Sequence, residues 1–256
     1  MNALKETKKK HLLAILKYLY LHNSSTMNEL VENLQLSQPS IRNMVRTLQE
    51  KQLIQEVGND LSSGGRCPTR FALNEKNYLI LCLYVQVDKV IYQLRNFNEI
   101  KKESILFYQS EDELKKTIKD LIDQEKIHCC LIAVEGIVYE DVYVTDHHNV
   151  LEKHQWLKDI KKEINIPLQL QNDVKMIHQG CYFTYQQDST YYLYINEVGI
   201  GSSYFYKDEP LYGRSGIMGE IGLISLKGKT INQQIRECQN QEEFNEILSL
   251  LLSMVF

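Results

Sequence analysis

Apolar positions recur at helical spacing three times in the N-terminal part of the chain. They are Leu12, Leu13, Ile15, Leu16, Leu19 and Tyr20 within KKKHLLAILKYLYLH (8–22), then Met27, Leu30, Val31 and Leu34, then Ile41, Val45 and Leu48. The spacing predicts three helices sharing one core. Thr26 stands where a cap belongs for the second helix, and Gln35-Leu36 where a tight turn belongs. Ser37 is placed to accept from the free N–H groups of the third helix, and Pro39 in its first turn gives up no intrahelical bond. The polar residues between the apolar positions, Gln38, Ser40, Arg42, Asn43 and Arg46, then share the outer face. Leu53–Val57 and Thr69–Leu73 read as strands on either side of a loop that holds Gly64-Gly65-Arg66. Helix, turn, helix and hairpin in this order predict a winged helix-turn-helix over residues 1–75.

The chemistry of the outer face suits double-stranded DNA. An arginine fork matches guanine O6/N7 or a phosphate, and an asparagine amide matches adenine N6/N7. Arg66, on a glycine-flexible tip, is expected to reach phosphate or the minor groove. The bland alternative is a small helical domain whose exposed arginines are merely solvated.

From about Asn77 the pattern becomes strands alternating with helices. Tyr78–Val85, Lys89–Phe97, Ile105–Tyr108, Cys129–Val134, Leu168–Leu170 and Tyr191–Ile195 read as strands, and Ser202–Tyr206 with Glu209–Tyr212 as a hairpin. Glu111–Glu125, Lys153–Glu163 and Asp173–Tyr185 read as helices. This predicts an α/β domain over residues 76–256.

Charge divides along the same line. Residues 1–75 hold 10 Lys/Arg against 7 Asp/Glu, whereas the remainder holds 19 against 26, so the basic part is the part with the helix-turn-helix. A content of 43% hydrophobic and 24% charged residues excludes disorder and fibre. No apolar run reaches the length of a membrane span and no signal-peptide core follows Met1, which predicts a cytoplasmic protein with no membrane partner. The six cysteines show no zinc spacing and read as reduced thiols, and His147, His148 and His154 read as a hydrophilic loop. No metal is assigned.

Three segments carry a resemblance to a known family. GGRCPTRFALN resembles the glycine, arginine and proline signature that joins the wing to the next domain in repressors of the ROK family (repressor, open reading frame, kinase). IPLQLQNDVKMIHQGCY resembles its strand ending in an Asn-Asp pair before a helix, and VGIGSSYFYKDEPLYGRSGIMGEIGLISL its glycine-rich hairpin region ending in Gly-Glu-Ile-Gly. The resemblance implies an actin-like (ribonuclease H-like) sugar kinase fold, truncated at its C-terminus, behind the winged helix-turn-helix. It implies that Asn172, Asp173 and Glu220 bind sugar hydroxyls, Asp173 being at the position of the kinases' catalytic base. The alternative for Asp173 is a plain helix cap, and for Gly216 and Gly219 a role in turns only.

Departures from the family pattern bear on catalysis. The segment Val85–Val90 lacks the glycines of the kinases' phosphate loop, Leu223 stands where the family has a histidine, and the segment 225–230 lacks the zinc cysteines. The chain also stops at Phe256 within an apolar helix, short of the family's nucleotide lobe. The expectation is a non-enzymatic, cofactor-free regulator of carbohydrate genes, most simply a repressor, that reads DNA as a homodimer and responds to a sugar or sugar phosphate. An active sugar kinase, and a purely dimerising module without a ligand, are the alternatives.

Overall fold

The computed structural model describes residues 2–59, 67–147, 150–185, 188–196, 199–206 and 209–255. Contacts divide the chain into two units. One comprises residues 1–81, 93–103 and 126–129, and the other residues 82–92, 104–125 and 130–256.

The first unit opens with helix α1 (Asn2–His22), the two-residue strand β1 (Ser25–Thr26), helices α2 (Met27–Leu34) and α3 (Gln38–Glu50), and strands β2 (Ile54–Asn59) and β3 (Thr69–Leu73). Thr26 caps α2 as predicted and does so reciprocally. Its Oγ1 accepts from Glu29 N at 3.2 Å, while Glu29 Oε2 accepts from Thr26 N at 2.9 Å, a capping box that satisfies two otherwise free donors. Gln35 ends α2 in the left-handed region at φ 53°. Ser37 sits at the cap position of α3, but its hydroxyl donates to Ser40 Oγ at 2.9 Å and makes no cap hydrogen bond. Neighbouring hydroxyls have here outcompeted the backbone.

Ile15, Leu19, Leu30, Ile41 and Val45 are fully buried, with Met44, Leu48, Phe71 and Leu73 closing the same core. The core stripe of α1 differs from expectation at two positions. Leu13 and Tyr20 are 53% and 44% exposed, and Tyr18 packs inward instead, because the face centred on Ile15 and Leu19 turns both of them outward. β1, β3 and β2 form an antiparallel sheet in that order, with a register shift between Glu56 and Gly58. The segment 60–66, and with it Gly64, Gly65 and Arg66, lies outside the described residues.

In the α/β part, strands β4 (Ile80–Val85), β5 (Lys89–Arg95) and β6 (Ile100–Phe107) precede helix α4 (Glu111–Gln124) and strand β7 (Cys129–Val134). Next come β8 (Ile137–Tyr139), β9 (Val142–His147), β10 (Val150–His154), helix α5 (Trp156–Glu163), β11 (Leu168–Asn172) and helix α6 (Asp173–Tyr185). β12 (Ser189–Ile195), β13 (Ile200–Tyr206), β14 (Glu209–Pro210), β15 (Ser225–Leu226), β16 (Lys229–Thr230) and helices α7 (Ile231–Glu237) and α8 (Gln241–Val255) complete the chain. Five strands form one sheet in the order β11-β7-β4-β5-β6, with β11 parallel to β7. The parallel pair delivers the C-terminal ends of both strands to one edge, where Asn172 is opposite Val134.

Between β7 and β11 the chain inserts an antiparallel sheet, β10-β9-β8. The predicted helix over 153–163 is corrected here. Lys153 and His154 pair with Val144 and Tyr143, so the helix begins only at Trp156. A further sheet, β12-β13-β14, pairs seven residues of β12 with β13. Ile200, Ile231, Ile235 and Leu251 form a separate small core with Phe244 and Ile247. No helix among the described residues is long and apolar enough to cross a membrane.

Candidate functional site

Two faces carry the sequence-predicted residues, one in each unit. On α3, Ile41, Met44, Val45 and Leu48 are buried, and Gln38, Arg42, Asn43 and Arg46 are exposed, with Ser40 half-buried. Arg46 Nε donates to Glu50 at 2.9 Å, one helical turn on. Both side chains are largely exposed, so this pair is worth only a few tenths of a kcal/mol and yields readily to a phosphate. Arg70 on β3 was not singled out in the sequence. It donates to Glu29 at 3.2 Å and to the Ser24 carbonyl at 3.2 Å, tying the hairpin to α2 and holding the Glu29 carboxyl, already lowered by the Thr26 backbone bond, below its ordinary range.

In the α/β unit, Asn172 and Asp173 stand where β11 becomes α6. Asn172 is buried and heavily used by the chain itself. Its Nδ2 donates to the Gly136 carbonyl at 2.9 Å and to Asp173 at 3.2 Å, and its Oδ1 accepts from Lys175 N at 3.0 Å. Both amide hydrogens are therefore spent, and one acceptor lone pair is left for a ligand. Asp173 Oδ1 accepts from Val174 N at 2.8 Å, and the Tyr84 hydroxyl lies 3.4 Å from Asp173 Oδ2 and 2.7 Å from Glu135 Oε1. One phenol thus sits between two carboxylates. Burial, with the neighbouring Glu135 charge, pushes the Asp173 carboxyl up to about 6, and burial together with Glu135 pushes the Tyr84 hydroxyl up.

Glu220 joins this cluster through a lysine that sequence reasoning missed. Lys175 is 1% exposed at its side chain, donates from Nζ to the Gly216 carbonyl at 2.9 Å and stands 3.7 Å from Glu220 Oε1. Burial raises the Glu220 carboxyl and lowers the Lys175 ammonium, and each partner opposes the shift of the other. A lysine two positions into a helix reads on paper as a solvated side chain. Only the approach of the Gly216 loop reveals its role. Gly216, at φ 74°, and Gly219, at φ 95°, do more than turn the chain. A Cβ at either would meet the Val138 or Ser202 carbonyl oxygen at 2.2 or 2.1 Å.

Asn172, Asp173 and Glu220 do not line either of two cavities in this unit. One, of about 200 Å³, is lined by Gln86, Tyr108, Ser110, Glu111, Glu135, Tyr143, Thr145, Glu152 and His154 together with apolar neighbours. The other, of about 340 Å³, lies against Val138, Tyr139, Gln169, Gln171, Tyr212 and Gly216. Tyr84 and Glu135 link Asp173 to the first cavity. The turn after β4, the family's phosphate-loop position, is closed by Gln86 N donating to the Lys89 carbonyl at 2.9 Å. The Gln86 side chain donates to Glu135 at 3.2 Å. These groups do not fit a nucleotide phosphate, since no run of glycine N–H groups is available to cradle it. Nor do they fit the family's zinc, since among the described residues no group of three or more His, Cys, Asp or Glu is placed to hold a metal.

Comparison with known proteins gives a consistent picture. The xylose repressor of Staphylococcus xylosus is 24% identical over 229 residues, which cover 81% of this chain and 58% of the repressor, so the chain spans well under two thirds of that relative's length. Among solved structures, a ROK family transcriptional regulator described as a homolog of the E. coli MLC protein matches with a TM-score of 0.67 at 16% identity, over 90% of this chain and 64% of that one. A putative sugar kinase from Cytophaga hutchinsonii matches with a TM-score of 0.51 at 18% identity, over 61% of this chain and 57% of the kinase. These two likenesses establish a shared fold, the α/β fold the sequence predicts. Residues 95–249, more than half of the chain, match the ROK family itself, and the chain belongs to that family.

Proposed function

We propose that the chain is a DNA-binding transcriptional repressor of carbohydrate genes, with residues 1–75 as a winged helix-turn-helix and residues 76–256 as a non-catalytic ROK domain that senses a sugar and pairs two copies. The observation that carries the reading is α3. A capped helix, a left-handed turn at Gln35 and a helix with Pro39 in its first turn present Gln38, Ser40, Arg42, Asn43 and Arg46 on a face opposite its buried stripe. The three-stranded sheet beside it supplies the wing, and Arg66 falls in the sequence between β2 and β3. The similarity to a xylose repressor supports the repressor reading and a cytoplasmic place of action. In the ROK domain, Asp173 and Glu220, with the remaining acceptor of Asn172, are the sugar-hydroxyl acceptors of this reading.

Asp173 also keeps a kinase reading in view, because a carboxyl raised to about 6 is nearer to a general base for a hydroxyl than an ordinary aspartate is. The phosphate-loop position argues the other way. Phosphoryl transfer depends on holding the phosphates, and the turn at 86–88 has no glycine, with its glutamine side chain committed to Glu135. The test is electrophoretic binding of the full chain to the DNA upstream of its own gene over a salt series, beside an Arg42→Ala/Arg46→Ala variant. Tight binding, with a log-log salt slope that falls by about 2 in the variant, supports the repressor. A folded chain that binds no DNA at any salt, or that turns over ATP with a sugar, overturns it.

A further inference from the structure

The sugar-hydroxyl acceptors of the candidate site are an incomplete set. Asn172 has one lone pair left, and Asp173 and Glu220 accept when ionised, whereas a hydroxyl has one hydrogen to give and two lone pairs to fill. Lys175 is placed to supply the missing donor. Its side chain is 1% exposed, and of its three N–H groups one meets an acceptor, the Gly216 carbonyl at 2.9 Å. Among the described residues no other acceptor stands within hydrogen-bond distance of Nζ, since Glu220 Oε1 is 3.7 Å away and the Tyr212 ring offers only its face at 6.0 Å. Glu220 is left in the same condition. Its side chain is 17% exposed, and among the described residues no donor stands within hydrogen-bond distance of its carboxylate. Buried donors and acceptors left this way are costly, and native proteins satisfy nearly all of them.

At 3.7 Å the ammonium and the carboxylate are too far apart to bond directly, yet near enough for one oxygen to reach both. That oxygen must accept from a cation and donate to an anion. A hydroxyl does both, whereas an ammonium cannot accept and a phosphate dianion cannot donate. The Lys175 ammonium is also held in position. The Gly216 carbonyl fixes Nζ, and Gly216 itself is pressed so closely on the Val138 carbonyl that a Cβ would have no room. We propose that Lys175 is a ligand-binding residue, donating to the oxygen of the guest hydroxyl whose hydrogen goes to Glu220, and so makes this position selective for a hydroxyl. The inference rests on the sugar-sensing reading above and adds the donor that reading lacks.

Isothermal titration of the full chain with D-xylose and D-glucose, and with the deoxy, deoxyfluoro and amino analogues of whichever binds, tests it beside a Lys175→Met/Glu220→Gln variant. At one carbon of the sugar, replacing the hydroxyl by hydrogen should cost about ten- to a hundredfold in affinity, the yield of a charge-assisted hydrogen bond. Fluorine at that carbon accepts but cannot donate, so it should bind between hydroxyl and hydrogen. An amino group there, repelled by Lys175, should bind no better than hydrogen. In the variant, hydroxyl and hydrogen at that carbon should bind nearly alike, while the other hydroxyls keep their penalties. A pair that only supports the fold would weaken every sugar by the same factor, and that result overturns the inference while leaving the sensor reading standing. Fluorine no better than hydrogen at every carbon in the wild type overturns it equally, a readout that holds even if the variant does not fold. Failure of both sugars to bind a chain that still binds DNA overturns the sensing reading and this inference with it, and leaves the repressor.

Discussion

Burial pushes the Asp173 carboxyl from an ordinary value of 3.8 up to about 6, so its native state binds a proton more tightly than the unfolded chain does. The sign follows from linkage. Stability falls as pH rises through the interval between the two values, and above it the charged carboxylate costs about 3 kcal/mol at most. Asp173→Asn should therefore stabilise the chain at pH 8 by about 1–3 kcal/mol and make almost no difference below about pH 4, as urea denaturation at both pH values would show. Equal effects at the two values would mean that Asp173 carries no strain of this kind. Lys175 poses the opposite case. Lys175→Met leaves Glu220 buried without its cation and should cost about 3–5 kcal/mol, whereas Lys175→Met combined with Glu220→Gln removes both charges and should cost far less. A double-mutant cycle from thermal denaturation reads the difference, and additivity would show that the two groups do not interact.

The elements that the sequence made legible are those whose signals are local. Thr26, read as a cap from its place before the first apolar position, caps α2, and Asp173–Tyr185 and Cys129–Val134 appear in the structure with the predicted bounds. The sheet β10-β9-β8 was not legible, because its short strands alternate weakly and take their identity from pairing partners across turns. The same distinction runs through the candidate site. Asn172, Asp173 and Glu220 were singled out by motif, but Lys175 and Tyr84 enter the cluster only through partners 41 or more positions away, Gly216, Glu220 and Glu135 among them, which spacing does not reveal. Gln35 gives a test at this scale. It holds φ 53° without the freedom of glycine, so Gln35→Gly should raise stability by up to about 1 kcal/mol, and Thr26→Ala should lower it by about 1 kcal/mol. Chemical denaturation of the two variants checks both signs, and a destabilised Gln35→Gly would show that the glutamine side chain contributes more than its backbone costs.

A repressor that answers to a sugar must couple two binding events, and the coupling obeys a constraint that needs no knowledge of its route through the molecule. If ligand binding weakens DNA binding by some factor, DNA binding must weaken ligand binding by the same factor, since both describe one closed thermodynamic cycle. Couplings of about 1–3 kcal/mol are usual, which places the factor between about 5 and 150. The prediction under the proposed function is that fluorescence anisotropy of labelled operator, titrated with and without saturating ligand, gives the same factor as calorimetric titration of ligand with and without saturating operator. Asp173→Asn should lower both affinities for the ligand together, in free and in DNA-bound protein, and leave operator affinity without ligand unchanged. If the variant instead changes operator affinity in the absence of ligand, Asp173 acts on the balance between conformations and not only as a ligand acceptor. If the factor is unity in both directions, the ROK domain of this chain binds its ligand without telling the DNA, and its contribution to regulation reduces to holding two recognition helices in register.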